Sequence, residues 1–92
     1  HLDHLGHGEH GNSLSKKTGQ IHLGADDNAS GVAAVLEVAH YLSELKKAEP
    51  MALKQDVVFG LWTGEELGLF GSSHFAKTKT TRPVSAYLNL DM

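Results

Sequence analysis

Residues 56–63, DVVFGLWT, form an apolar run that is short for a helix and too continuous for a strand with one wet face. Such a run predicts a strand buried on both sides, the kind found where helices cover both faces of a parallel sheet. Gly64 ends it. A second run at 85–90 ends at Asp91, and a shorter strand is expected near 20–23.

Between these runs the periodicity changes. Val32, Val35, Leu36, Ala39, Leu42 and Leu45 recur at helical spacing and predict a helix over 30–47. Asn28 or Ser30 is placed to cap its start, and Lys46-Lys47 complement its C-terminal dipole ahead of Pro50. A shorter helix is expected over 67–77. Strand, helix, strand, helix, strand in alternation implies an α/β fold with parallel pairing. In such a fold Glu65-Glu66 and Asp91 fall just past the C-terminal ends of strands, the edge where α/β sheets build their sites.

The 92 residues suit one small domain or part of a larger one. The 40% hydrophobic content is ordinary for a folded chain and argues against disorder. A net charge of −3 gives no reason to expect nucleic acid or an anionic membrane as partner. Six of the eleven acids (Asp3, Asp26, Asp27, Glu65, Glu66 and Asp91) lie in the motifs below, so the acidity reads as site chemistry. With no cysteine, disulfides and thiol catalysis are excluded. No apolar run approaches membrane-spanning length. Residues 1–25 are rich in Gly and His with polar spacers at Asn12-Ser13 and Lys16-Lys17-Thr18-Gly19, which reads as loop. The chain begins at His1 and stops at Met92, directly after an apolar run, so a partial domain cut at both sides is expected.

Four clusters carry potential ligands: His1-Leu2-Asp3, Gly24-Ala25-Asp26-Asp27-Asn28, Gly64-Glu65-Glu66 and Asn89-Leu90-Asp91. Imidazole and carboxylate are the donors of catalytic zinc sites, and a carboxylate can bridge two ions. Adjacent glutamates can divide their labour, one holding metal and the other taking a proton from water. Each cluster alone also fits a bland role: a solvated loop, helix capping or a turn. Their conjunction, in this order and on these elements, is much harder to dismiss than any one of them.

The segments HLDHLG, GADDNASGVAAVLEVA, VVFGLWTGEELGLFGSSHF and YLNLDM resemble, in order, the motifs of zinc exopeptidases of the aminopeptidase Y and bacterial leucyl aminopeptidase type. The resemblance implies a three-layer αβα sandwich around a mostly parallel sheet, of which this chain holds part. It implies a two-zinc aminopeptidase, with His1 and Asp91 on the first zinc, Asp27 bridging both and Glu66 on the second. Glu65 would be the general base, Asp3 the carboxylate that orients His1, and the Asp27–Asn28 peptide cis. A further histidine ligand of the second zinc would lie beyond Met92, so the 92 residues alone are expected to be inactive. The substrate implied is a peptide with a free N-terminus, in an exported or vacuolar setting. A glutaminyl cyclase or carboxypeptidase of the same superfamily, or a non-catalytic receptor-like relative, shares much of this layout.

His1, His4, His7 and His10 recur every third residue, which invites a histidine-rich zinc-buffering module as a further alternative. The intervening glycines favour a solvated loop for His4, His7 and His10. His22, His40 and His74 read as structural, Asp26 as a supporting acid, Trp62 as core, and Phe70 and Phe75 as packing residues of the short helix.

Overall fold

An α-helix closes its backbone hydrogen bonds within one segment, and the two segments with helical periodicity do form. The computed structural model describes residues 1–10, 13–16, 19–78 and 82–92. The polar spacers read at Asn12, Lys17 and Thr18 lie outside them. Helix α1 runs Ala29–Ala48 and helix α2 runs Phe70–Thr78. At the end of α1, Glu49 N–H donates to Leu45 C=O at 2.7 Å, Lys47 pairs with Glu44 at 2.6 Å, and Lys46 Nζ donates to the Pro50 carbonyl. No helix among the described residues is long and apolar enough to cross a membrane.

Helix α2 starts three residues later than its pattern predicts. Gly64, Gly68 and Leu69 hold φ of 70°, 120° and 60°, values a right-handed helix excludes. The chain instead makes a tight turn. Gly68 and Leu69 N–H both donate to Glu65 C=O, at 2.9 and 3.0 Å, and Phe70 N–H reaches Gly64 C=O at 3.0 Å. This turn carries Glu65 and Glu66.

The expected sheet is absent from the described residues. Segments 20–23, 56–63 and 85–90 contain no strand, so the α/β sandwich with its parallel central sheet is overturned. A strand, unlike a helix, completes its backbone pairing only against another strand. Here 56–63 and 85–90 exchange no backbone hydrogen bond. Nor is 56–63 buried: Val58 is 76% exposed and Phe59 42%. No hydrophobic side chain among the described residues is fully buried. The radius of gyration is 16.3 Å, against roughly 12 Å for a compact domain of this length.

What order there is gathers around the turn. Trp62 is half-buried and packs on Phe75, ring centroids 4.8 Å apart at 44°. Phe70, expected to pack, is 61% exposed. Leu2 N–H donates to Trp62 C=O at 2.6 Å, which ties residues 1–3 to the turn that follows Trp62.

Candidate metal centre

Three loops meet at His1. Its side chain is only 3% exposed, and its Nε2 lies 2.9 Å from Asp27 Oδ1, 3.3 Å from Asp91 Oδ1 and 3.5 Å from Glu65 Oε2. Its Nδ1 lies 3.0 Å from the Asp3 backbone carbonyl. Both ring nitrogens therefore face oxygens that accept. Burial works against a charge on the ring, but the hydrogen bond to Asp3 C=O and the charges of Glu65, Asp91 and Asp27 outweigh it, and the His1 pKa is raised.

Each ligand candidate is placed by a local device. Helix α1 begins just after Asp27, with Ala29 N–H bonded to Gly24 C=O at 2.9 Å and Ser30 Oγ to Asp26 C=O at 2.6 Å. The Asp27–Asn28 peptide is cis. Asn28, expected as a cap, makes no side-chain cap bond. It is buried and donates from Nδ2 to Leu90 C=O at 3.0 Å, which brings the residue before Asp91 against the start of α1.

Asp3 does something its sequence position does not announce. Its carboxylate stands 3.6 Å from His1 Nδ1, beyond hydrogen-bond reach. The contact that orients the ring is the Asp3 carbonyl, an arrangement that suits a ligating histidine as well as a carboxylate would. The carboxylate instead spans two successive amides: Glu65 N–H donates to Oδ1 and Glu66 N–H to Oδ2, each at 3.2 Å. Partial burial opposes ionisation of Asp3, yet these amides, its own amide and the charge of His1 hold its pKa below the usual carboxylate value. The grip is therefore present above the ordinary carboxylate range and lost as acid takes the pH down through the lowered value. Glu66 moves the other way, raised by burial and then by the charges of Asp27, Glu65 and Asp3 against the lowering effect of His1.

The donor groups form two triads whose ligand atoms lie within 4.8 Å of one another, His1–Glu65–Asp91 and His1–Asp27–Glu66. All five expected ligand and base positions are thus brought together. The grouping differs from the expected one, since His1 rather than Asp27 is common to both triads, and His1–Asp27–Asp91 is not among them. Carboxylates repel each other, yet they gather here around one imidazole. Among the described residues no Lys or Arg pairs with any of the four carboxylates; Lys47 pairs with Glu44 and Arg82 with Asp56. Imidazole with uncompensated carboxylates is a donor set that fits a divalent zinc ion. His4, His7 and His10 line an open cavity of about 330 Å³ beside Glu66 but enter neither triad. His22 bonds Ser13 Oγ at 3.0 Å, a structural role.

Residues 1–92 match Peptidase family M28 along their whole length. The chain belongs to that family. Over 72 residues it is 42% identical to an aminopeptidase of Pseudomonas aeruginosa and 35% identical to aminopeptidase NAALADL1 of Mus musculus. Over 71 residues it is 39% identical to a Pyrenophora tritici-repentis protein named "Probable zinc metalloprotease". Each match covers 75% of this chain and 12%, 10% and 14% of the respective relative, so the chain spans a small part of their length. No solved structure matches it.

If the Asp3 carboxylate holds the Glu65–Glu66 turn, Asp3→Asn must orphan one of the two amides, because its NH2 group cannot accept. A lost bond to a charged group contributes about 1.5–3 kcal/mol, so amide exchange at Glu65 or Glu66 should accelerate roughly tenfold or more. Unchanged exchange at both amides would contradict this.

Proposed function

We propose that this chain supplies the metal centre of a zinc-dependent aminopeptidase that removes N-terminal residues from peptides. The observation that carries the reading is the convergence of Asp27, Glu65, Glu66 and Asp91 on His1, with no Lys or Arg among the described residues paired to them. The aminopeptidase names borne by two relatives support the substrate class, and the zinc metalloprotease name of a third supports the metal.

In this reading His1, Asp27, Glu66 and Asp91 would hold the zinc. Bound zinc supplies Lewis acidity and lowers the pKa of a water at the site. The residues of the chain do the rest. Glu65 takes a proton from the attacking water at its carboxylate and returns it to the leaving amine. Asp3 fixes where Glu65 can reach, through the amide it holds. His1 keeps Nδ1–H on the Asp3 carbonyl and presents Nε2 as a donor. The aminopeptidase names of the two relatives favour a substrate with a free α-amino group over a blocked one.

Glu65→Gln in the full-length protein should lower kcat on an aminoacyl anilide by about 10²–10⁴-fold, the usual contribution of a general base, while zinc content holds. The N-acetylated anilide should resist the wild type. Full turnover by Glu65→Gln, or equal cleavage of the blocked substrate, would contradict the assignment.

The pH dependence has a definite sign. Zinc requires a deprotonated Nε2 on His1 and an ionised Glu66, and both pKa values are raised. Zinc affinity should therefore fall as pH drops through the raised His1 value. Chelator competition at a series of falling pH values should show zinc held progressively more weakly. Zinc affinity that does not change with pH would contradict the two raised values.

A further inference from the structure

Asn28 has the one fully buried side chain among the described residues, 1% exposed in a chain without a buried apolar core. It stands at the start of α1, where an asparagine ordinarily folds its side-chain oxygen back onto the first amides of its own helix. Here it does not. The amide nitrogen reaches 62 residues along the chain to the Leu90 carbonyl, at 3.0 Å. A carbonyl accepts only from a donor, so this bond fixes which way the amide faces. Oδ1 is then left buried with no partner among the described residues. A residue that forgoes its local cap and leaves an acceptor orphaned is held in place by what it reaches.

Its seat is equally specific. A Cβ added at Gly31 would overlap both Asn28 Oδ1 and the Leu90 carbonyl oxygen, the second of which is backbone and cannot swing aside. Gly31 is therefore the position that lets the two loops close. The residues on either side of the joint are Asp27 and Asp91, whose carboxylates lie 2.9 and 3.3 Å from His1 Nε2.

We propose that Asn28, seated on Gly31 and bonded to Leu90, is a positioning residue that sets the spacing of the Asp27 and Asp91 carboxylates and so the affinity of the metal centre. This rests on the zinc-peptidase reading above. Neither Asn28 nor Gly31 offers a metal ligand in it.

The test uses the full-length protein and the variants Asn28→Ala, Asn28→Ser and Gly31→Ala. Serine can cap α1 locally but is too short to reach Leu90, so it keeps the helix start while removing the clamp. Competition with a chelator should show zinc held about ten- to a hundredfold more weakly in each variant, the size typical of groups that orient ligands. Raising free zinc should then restore kcat with KM unchanged, and the zinc-free variants should unfold at the temperature of the zinc-free wild type, which separates weakened zinc binding from a loss of fold stability. Folded Asn28→Ser and Gly31→Ala proteins that hold zinc as tightly as wild type would overturn the proposal. So would a kcat deficit that excess zinc leaves untouched. A wild-type protein that takes up no zinc would instead overturn the functional reading on which the proposal stands.

Discussion

The imidazole of His1 is where three distant parts of the chain meet, and its two nitrogens divide the task. Nδ1 is held by the Asp3 carbonyl at 3.0 Å, and Nε2 faces Asp27, Asp91 and Glu65 within 3.5 Å. Several carboxylates gathered around one imidazole repel one another at close range. Their charges add to burial in raising the Glu66 pKa and, against burial, add to the Asp3 carbonyl hydrogen bond in raising that of His1. A divalent ion would relieve both, which is why the charge distribution and the family membership point the same way.

Around this hub the supporting contacts are made largely by backbone groups. The Asp3 carboxylate holds the amides of Glu65 and Glu66, Asn28 holds the carbonyl before Asp91, and Leu2 N–H holds the carbonyl of Trp62. Such bonds locate a loop without constraining the side chain it presents. Glu65, Glu66 and Asp91 are thus placed through backbone groups of their own or of the residue beside them.

What could be read from the residues follows from how local each feature is. Helix α1 was legible because its stripe from Val32 to Leu45 and its terminal lysines act within one segment, and it spans Ala29–Ala48 as the pattern implies. The four clusters were legible because histidine and carboxylates stand close together in short segments, and the structure brings His1, Asp27, Glu65, Glu66 and Asp91 together. The sheet was misread. An apolar run such as 56–63 states that burial is favourable but does not state what covers it, and here Val58 and Phe59 remain exposed. Asn28 and the carboxylate of Asp3 were read as a cap and as a brace for His1. Their actual partners, Leu90 and the Glu65–Glu66 amides, lie 62 or 63 residues away, beyond the reach of any local rule.

The central claim is that zinc is held by the carboxylates gathered at His1 and not by the neighbouring run of histidines. Zinc content after exhaustive dialysis of the full-length protein decides between them. The account predicts that His1→Ala and Asp27→Ala lose bound zinc, while a combined His4→Ala, His7→Ala and His10→Ala variant keeps it. Retention of zinc by the first pair and its loss from the triple variant would contradict the account at its root.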